Sequence, residues 1–159
     1  MIENLDNLFK YISHGVYVIG VSDGVHQNAF TAAWVMQVSF KPPLLAISIN
    51  PEHYSYQLLL ASGVCTVNIL GEEQFAIAEH FGRSDRDKMT GFQWQVDTTG
   101  APILSTSLAY FDCQVSHYTD AGDHKIVICK VTAAANLHKG HPILYQQTGD
   151  MDGSADLYQ

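Results

Sequence analysis

The sequence is poor in basic residues and has no long hydrophobic run. Only eight of its 159 residues are Lys or Arg, against sixteen Asp and Glu, and the formal net charge at pH 7 is −8. Because proteins bind nucleic acids mainly through Lys and Arg contacts with phosphate groups, no nucleic-acid partner is expected. The apolar runs, such as Leu44 to Ile47, are far shorter than the roughly 18 residues of a membrane-spanning helix. We therefore expect a soluble protein with no membrane partner.

The cysteine pattern and the first residues both fit a cytoplasmic protein. Cys65, Cys113 and Cys129 are an odd number and include no CxxC pair, which argues against a disulfide framework and against a zinc knuckle. We predict that all three are reduced, buried, small hydrophobic side chains. The opening residues carry Glu3 and Asp6 and have neither the basic nor the apolar region of a secretory signal. This predicts a cytoplasmic location.

The amount of apolar material indicates one folded domain. Hydrophobic residues make up 47% of the chain and charged residues 15%, a composition that supports a full hydrophobic core. The length fits a single domain over residues 1–159. The stretch 149–159 combines glycine with Asp150, Asp152 and Asp156, and we predict that it is a mobile tail.

The apolar pattern predicts a mainly β protein with a few short helices. The first helix is predicted from an apolar stripe at i, i+3, i+4 and i+7, formed by Leu5, Leu8, Phe9 and Ile12. Later runs are β-branched or aromatic and are bounded by turn residues. The predicted strands are 16–21, 25–39, 44–49, 64–70, 108–118, 124–135 and a short last one at 143–145, and the other predicted helices are 54–61 and 72–81. The polar stretch 82–100 is predicted to be a long surface loop. Since closure removes exposed sheet edges, we expect a closed or nearly closed antiparallel barrel.

Common nucleotide-binding motifs and convincing metal sites are both lacking. The sequence contains no GxGxxG and no GxxxxGK[ST], so the Rossmann and P-loop folds are not supported. Among eight histidines, His138 and His141 are close in sequence but have no carboxylate neighbour, and we interpret them as solvated loop residues. Cys113 and His117 at i, i+4 make a weak metal pair, and a Cys-His nucleophile has no local signature here. We predict no metal.

Several polar residues stand where strands are expected to be apolar. In the run 28–34, small residues flank Thr31, so a flat ligand can approach the backbone closely and Thr31 offers it a hydroxyl. Ser48 and Asn50 end a later strand, and Ser55 follows at a predicted helix start. A serine there is most often only a helix cap, but the free amides of a helix start also form phosphate sites. The residues alone leave both alternatives open.

Seven short segments follow one another in an order and spacing that carry a resemblance. They are GVYVIG (15–20), DG (23–24), NAFTAAW (28–34), VSFKPPLL (38–45), SGVCTVNIL (62–70), GDH (122–124) and PILY (142–145). In this order they resemble the flavin reductase-like family, whose members fold as an FMN-binding antiparallel split β-barrel of Greek-key type. The resemblance covers roughly residues 15–149.

The resemblance implies a flavin site made from four parts of the chain. The strand with the Asn-x-x-Thr segment lies along the isoalloxazine, which puts Thr31 nearest its redox edge. Ser55 stands at the phosphate, and Arg83 belongs to a segment that closes over the same end. A guanidinium binds phosphate bidentately, although the alternative of a solvated loop cation stays open for Arg83. The implied cofactor-binding residues are Asn28, Phe30, Thr31, Ala32, Trp34, Ser48, Ile49, Asn50, Tyr54, Ser55, Phe81, Gly82 and Arg83.

The implied catalytic residues are His124 and Thr31. His124 matches the Gly-Asp-His histidine of the family, which in reductases lies near the nicotinamide side of the flavin; the alternative is a structural histidine at a strand start. Many catalytic members have a Gly-Met-Thr segment where this chain has Ala29-Phe30-Thr31. The Ala29-Phe30-Thr31 segment resembles the corresponding segment of the flavoredoxin-like branch and of electron-transfer members.

The predicted function is that of an FMN-binding, NAD(P)H-dependent flavin reductase. NADH or NADPH reduces the FMN, and the electrons pass to free flavin or to a redox protein partner. One alternative is a flavoredoxin-like electron-transfer flavoprotein without its own nicotinamide site, and another is a binding module that has lost the flavin. The resemblance also implies a homodimer in which a second chain completes the flavin pocket.

Overall fold

The computed structural model describes residues 2–85 and 87–158, which fold mainly into antiparallel strands. The helices are α1 (Leu5–Phe9), α2 (Tyr54–Ser62) and α3 (Phe75–Phe81), and two 3-10 helices follow at Tyr145–Thr148 and Ser154–Tyr158. The strands are β1 (Tyr17–Ser22), β2 (Gln27–Ala32), β3 (Val35–Ser39), β4 (Leu44–Ile49), β5 (Val64–Ile69), β6 (Trp94–Gln95), β7 (Ile103–Leu104), β8 (Ala109–Ala121) and β9 (His124–Asn136). None of the helices described here has the length and apolar character needed to cross a membrane.

Seven strands form one sheet in the order β2-β1-β5-β8-β9-β4-β3, and β6 pairs with β7 separately. The edge strands β2 and β3 are neighbours in the chain, separated only by Ala33 and Trp34. The sheet therefore curls until its two edges return to the same place. Over residues 2–85 and 87–158 no ladder joins these edges. The predicted fold class, a mainly β antiparallel split barrel, is confirmed, whereas complete closure is not.

The predicted strand over residues 25–39 is two strands. The ladder stops at Ala33 and Trp34, where the Val35 N–H donates to the Ala33 carbonyl oxygen at 3.1 Å. Before this point the chain pairs with β1, and after it the chain pairs with β4. The sequence has neither proline nor glycine at this point, so no turn residue marked the break.

Three other predicted elements are shorter than expected. The first helix ends at Phe9, and α3 begins only at Phe75. The predicted strand at 143–145 is reduced to a single bridge between Leu144 and Gly15, after which a 3-10 helix begins at Tyr145. Helix and strand ends carry no strong sequence signal when capping side chains are lacking, and α1 and α3 have no side-chain cap.

Two apolar clusters flank β1, which is why it is buried on both faces. On the inner side, Ile19 and Val21 belong to a cluster that includes Leu58 and Leu59 of α2. On the outer side, Val18 belongs to a second cluster that includes Ala78 and Phe81 of α3. Helices α2 and α3 both also contact β2. This arrangement brings the start of α2 and the end of α3 to the same strand.

The chain after α3 is anchored to the sheet at a glycine. A Cβ atom at Gly20 would lie 2.0 Å from the Pro102 carbonyl oxygen, so only glycine allows this close approach. Thr66 donates its hydroxyl to the same carbonyl at 2.5 Å, and the Asn68 Oδ1 accepts from the Leu104 N–H at 2.9 Å. These buried bonds fix the place where the chain rejoins the sheet after the stretch 82–102, which is not all loop as predicted, since it contains the short strand β6.

The three cysteines lie together in the inner cluster. All three are free and buried, as predicted, and the Sγ atoms of Cys65 and Cys129 are 3.8 Å apart. Contacts with Cys113 and Cys129, together with burial, raise the pKa of Cys65 well above its ordinary value. A thiol held in this form is a poor nucleophile, so the cysteines pack the core.

The end of the chain lies against the first helix. The second 3-10 helix contacts α1, and the Tyr158 ring stacks on Phe9 with 5.6 Å between the ring centroids. Mobility of the stretch 149–159 stays a prediction, and residue 159 lies outside the described residues.

Candidate functional site

A cavity of about 280 Å³ lies beside β2, between the start of α2 and the end of α3. Its lining comes from three segments that are far apart in the sequence: Asn28, Phe30 and Thr31, then Glu52, His53, Tyr54 and Ser55, then Phe81, Gly82, Arg83, Ser84, Asp85 and Lys88. Small-molecule sites usually span roughly 300–1,000 Å³. The cavity therefore accommodates one end of a nucleotide-sized ligand, and the rest must extend outside it.

Two buried polar side chains meet at one wall of the cavity. The Asn28 side chain donates from Nδ2 to the Ser55 Oγ at 2.9 Å, and both residues are almost fully buried, at 3% and 2% exposed. The Asn28 Oδ1 is also buried, and among the described residues it has no hydrogen-bond partner. A buried acceptor without a partner costs about 1–3 kcal/mol. This wall therefore fits a ligand that carries hydroxyl or N–H donors.

Ser55 is not the cap of α2. The capping position is occupied by His53, and Ser55 lies inside the first turn with its hydroxyl bonded to Asn28. The interpretation of Ser55 as only a helix cap is therefore wrong. Its hydroxyl instead belongs to the cavity wall.

Thr31 links β2 to α3 at the floor of the cavity. Its hydroxyl donates to the Ala78 carbonyl oxygen at 2.6 Å. While this bond is kept, the hydroxyl oxygen can only accept a hydrogen bond from a ligand. Thr31 thus both fixes α3 against the sheet and offers an acceptor to the cavity.

The cations of the cavity differ in burial. The Arg83 side chain is exposed at the mouth, whereas Lys88 is 5% exposed. Burial lowers the pKa of Lys88 to about 8, and the nearby Asp85 carboxylate opposes part of this change. His53 lines the same cavity, and its pKa is lowered by burial and then by the charges of Lys88 and His124. The lining thus holds two cations, Arg83 and Lys88, together with two carboxylates, Glu52 and Asp85.

His124 lies outside the cavity lining, next to Trp34. The two ring centroids are 5.0 Å apart, and His124 Nδ1 lies 2.6 Å from the Asp123 Oδ1. The contact with His124 lowers the pKa of Asp123. Trp34 lies at the break between β2 and β3, so the His124–Trp34 pair stands at the gap between the sheet edges.

Five of the predicted cofactor-binding residues do not line the cavity, namely Ala32, Trp34, Ser48, Ile49 and Asn50. Ala32 and Ile49 are buried in the inner cluster. The Asn50 Oδ1 accepts from the Glu52 N–H at 3.0 Å and shapes the loop before α2. The Ser48 N–H donates to the Trp34 carbonyl oxygen at 3.0 Å and holds the chain at the break after β2.

Sequence reasoning did not name five of the lining residues, which are Glu52, His53, Ser84, Asp85 and Lys88. They belong to the loops that adjoin the predicted residues, and no spacing or motif marks them. The only signal was that Ser84, Asp85 and Lys88 fall in the long polar stretch predicted to carry function.

The histidines considered for metal binding lie apart from this cavity. His138 and His141 are exposed, and the His138 Nε2 lies 2.9 Å from the Ser105 carbonyl oxygen. Cys113 is buried, but the ladder bulges between Val115 and His117, and His117 is exposed. Within the described part of the chain, no three His, Cys, Asp or Glu side chains are grouped so that they could hold a metal ion.

Comparison with known proteins identifies the family. The model of the flavin reductase like domain matches residues 9–154, nearly the whole chain. The chain belongs to the flavin reductase-like family. The predicted resemblance is thereby confirmed, and so is the predicted function at the level of a flavin oxidoreductase.

Proteins similar to this family member include some that are named as parts of monooxygenases. It is 32% identical over 138 residues to the reductase subunit HsaB of a flavin-dependent monooxygenase from Rhodococcus jostii, a match covering 85% of this chain and 71% of that protein. The NADH:FAD oxidoreductase SgcE6 of Streptomyces globisporus superposes with a TM-score of 0.82 at 26% identity, covering 88% of this chain and 85% of that one. Nitrilotriacetate monooxygenase component B of Mycobacterium thermoresistibile gives a TM-score of 0.82 at 30% identity, covering 90% and 84%.

Other curated relatives are much longer than this chain. The matches cover 43%, 27% and 23% of three such proteins. In these relatives the flavin reductase-like domain is therefore one part of a larger protein.

Proposed function

We propose that this flavin reductase-like protein binds FMN in the cavity beside β2 and acts as an NAD(P)H:flavin oxidoreductase. The observation that carries the proposal is the polar end of the cavity, where the orphaned Asn28 Oδ1, the Ser55 hydroxyl and the Arg83 guanidinium converge. This donor and acceptor set fits a ribityl phosphate, which has both hydroxyl donors and an anionic end. FMN, when bound, supplies the capacity to accept a hydride and to pass its electrons on.

The chain's own residues orient the ligand and exclude water. Ser55 and Arg83 bind the phosphate end, and Asn28 accepts from a hydroxyl of the ligand. Thr31 offers an acceptor to the part of the ligand that extends along β2, toward Trp34 and His124. Phe30 and Phe81, which are buried, line the cavity with apolar surface and lower the local dielectric constant, which strengthens these polar contacts.

The electrons pass to a diffusible flavin or to a protein partner. HsaB and the nitrilotriacetate monooxygenase component B are named as parts of monooxygenases, which supports a flavin-dependent monooxygenase as the consumer. We also propose a cytoplasmic location, because three free, buried cysteines fit a reducing compartment.

The absorption spectrum of the purified protein, followed by anaerobic mixing with NADH or NADPH, tests this function. We expect a flavin spectrum, either as purified or after addition of FMN, and bleaching by one of the nicotinamides. A protein that binds FMN but is bleached by neither nicotinamide is an electron-transfer flavoprotein. A protein that remains colourless with added FMN contradicts the proposal as a whole.

We predict that the protein is a homodimer. The edge strand β3 and the residues beside it expose apolar side chains, namely Trp34, Met36, Val38 and Phe40. Exposed apolar surface of this kind on a sheet edge is typical of an interface, and a second chain placed there would cover the part of the ligand that extends outside the cavity. Sedimentation should report about twice the chain mass of 17.6 kDa. A monomer that retains tightly bound FMN would contradict this prediction.

A further inference from the structure

The tip of the β8–β9 hairpin, residues 120–125, carries two carboxylates and one lysine next to His124. Asp120 and Lys125 are cross-strand partners, and the Lys125 Nζ donates to the Asp120 carboxylate. Asp123 lies in the turn directly before His124, and its side chain is 95% exposed. Because Lys125 is already paired, the hairpin tip presents the negative charge of Asp123 to solvent.

The Asp123 carboxylate is held in place by His124 and keeps room for a ligand. Its Oδ1 lies 2.6 Å from the His124 Nδ1. This hydrogen bond, followed by the charge of His124, lowers the pKa of Asp123, so the carboxylate is ionised at neutral pH. Within residues 2–85 and 87–158, no other side chain donates to it. Since a carboxylate has about four acceptor positions, Asp123 can also accept from a bound molecule.

The other basic residues lie away from this tip. Arg83 and Lys88 line the cavity, where the phosphate of FMN is proposed to bind. Lys130 is farther along β9 and pairs with the far end of β4, roughly 20 Å from His124 at about 3.3 Å per residue. Three more lysines lie near the N-terminus or at and beyond the far ends of β4 and β9, namely Lys10, Lys41 and Lys139. Charges that far away are largely screened, so in the described part of the chain the tip has no unpaired cation.

This charge pattern distinguishes the two nicotinamide donors. NADH has a hydroxyl at the 2′ position of its adenosine ribose, whereas NADPH has a phosphate monoester there, which adds a charge of about −1.5 to −2 at pH 7. In dinucleotide sites generally, a carboxylate accepts a hydrogen bond from the 2′-hydroxyl, and an arginine accommodates the 2′-phosphate. The hairpin tip has the carboxylate and has no arginine.

We propose that Asp123 is a specificity residue that favours NADH over NADPH as the hydride donor. A nicotinamide beside His124 brings its dinucleotide within reach of the adjacent Asp123 carboxylate. That carboxylate accepts from a ribose hydroxyl of NADH and repels the additional phosphate of NADPH. This inference rests on the proposed function, in which a nicotinamide reduces the flavin.

The test compares the dissociation constants of NAD⁺ and NADP⁺ for the FMN-loaded protein by titration calorimetry. These oxidised dinucleotides differ only in the 2′-phosphate and donate no hydride, so the ratio of their constants isolates the contact with that phosphate. We expect wild type to bind NAD⁺ about tenfold more tightly than NADP⁺, the order expected for one surface charge close to a dianion. Anaerobic stopped-flow absorbance should show the same preference for NADH in the rate of flavin reduction.

Two substitutions of Asp123 alter the preference in a defined way. Asp123→Asn removes the charge but keeps an acceptor for the His124 Nδ1, so the preference for NAD⁺ should fall about three- to tenfold. Asp123→Arg supplies a guanidinium that binds phosphate and should reverse the preference. Glu73→Gln is the matched control, because it removes an exposed carboxylate outside both the cavity lining and the hairpin. It should leave the ratio of the two constants unchanged.

The outcomes separate this inference from the proposed function. Raising the ionic strength from about 0.01 to about 0.5 M should reduce the wild-type preference, because the charge of Asp123 is exposed to screening. This measurement decides even if a variant does not fold. A wild-type protein that binds NADP⁺ as tightly as NAD⁺, or a ratio that is unchanged by Asp123→Asn, overturns the role of Asp123 alone. A protein that binds no FMN, or whose flavin neither NADH nor NADPH reduces, overturns the proposed function instead.

Discussion

Replacing His124 with Ala is expected to slow reduction of the bound flavin by NADH or NADPH about a hundredfold while leaving FMN binding nearly intact. His124 does not line the cavity that would hold the ribityl phosphate; it packs against Trp34 and is oriented by Asp123. At that position it can orient an incoming nicotinamide, and a misplacement of ~1 Å in a reacting pair can cost about a hundredfold in rate. Stopped-flow absorbance under anaerobic conditions measures the effect.

Two comparisons separate orientation of the nicotinamide from a general disturbance. Reduction of the His124→Ala variant by dithionite should proceed as in wild type, because dithionite needs no bound nicotinamide. His26→Ala is the matched control, since His26 forms a similar pair with Asp23 at another hairpin, 3.1 Å between Nδ1 and Oδ2, and should leave the rate unchanged. An unaltered rate in the His124→Ala variant would remove His124 from the mechanism.

Replacing Thr31 with Ala is expected to affect the bound flavin itself, in contrast to His124→Ala. Thr31 lines the cavity and holds α3 through the Ala78 carbonyl. Its loss should therefore change the absorption spectrum of the bound flavin itself, an effect that His124→Ala should lack. Thr31→Ser keeps the hydroxyl and should restore the spectrum.

Replacing Arg83 with Ala is expected to weaken FMN binding about ten- to hundredfold and to leave riboflavin binding almost unchanged. The guanidinium stands at the mouth of the cavity, on the turn that Lys88 fixes. The lost charge-assisted contact with phosphate is worth roughly 1.5–3 kcal/mol. Because the Arg83 side chain is exposed, its removal should not unfold the protein. Titration calorimetry with the two ligands measures the difference.

The control for Arg83 is a variant that keeps the charge. Arg83→Lys keeps the charge but cannot bind phosphate bidentately, so FMN affinity should fall between those of wild type and Arg83→Ala. Equal weakening of FMN and riboflavin would mean that Arg83 acts through the fold, and the assignment would be wrong.

Much of the candidate site could be predicted, because it lies in segments with recognisable order. Asn28, Thr31, Ser55 and Arg83 were all named from the sequence, and they line one cavity. Lys88 could not be predicted, because a lysine in a polar loop is normally exposed, and its burial depends on contacts with the end of α3. The lack of a hydrogen-bond partner for Asn28 Oδ1 among the described residues could not be predicted either. Whether a buried atom has a partner depends on the residues that the fold places around it.

Local chemistry decided the turns and the strands that they join. Asp23 accepts at Oδ1 from the N–H groups of Val25 and His26, Gly24 takes a φ of +96°, and Gly63 ends α2 with a φ of +69°. Each of these features involves residues a few positions apart, so the sequence itself determines the hairpin and the end of the helix. The break at Ala33 and Trp34 is different, because both sides of it favour a strand. Only the pairing of β2 with β1 and of β3 with β4, far along the chain, decides where one strand ends and the gap between the sheet edges begins. The site forms beside that gap because packing from distant segments, which no local pattern encodes, brings β2, α2 and α3 together there.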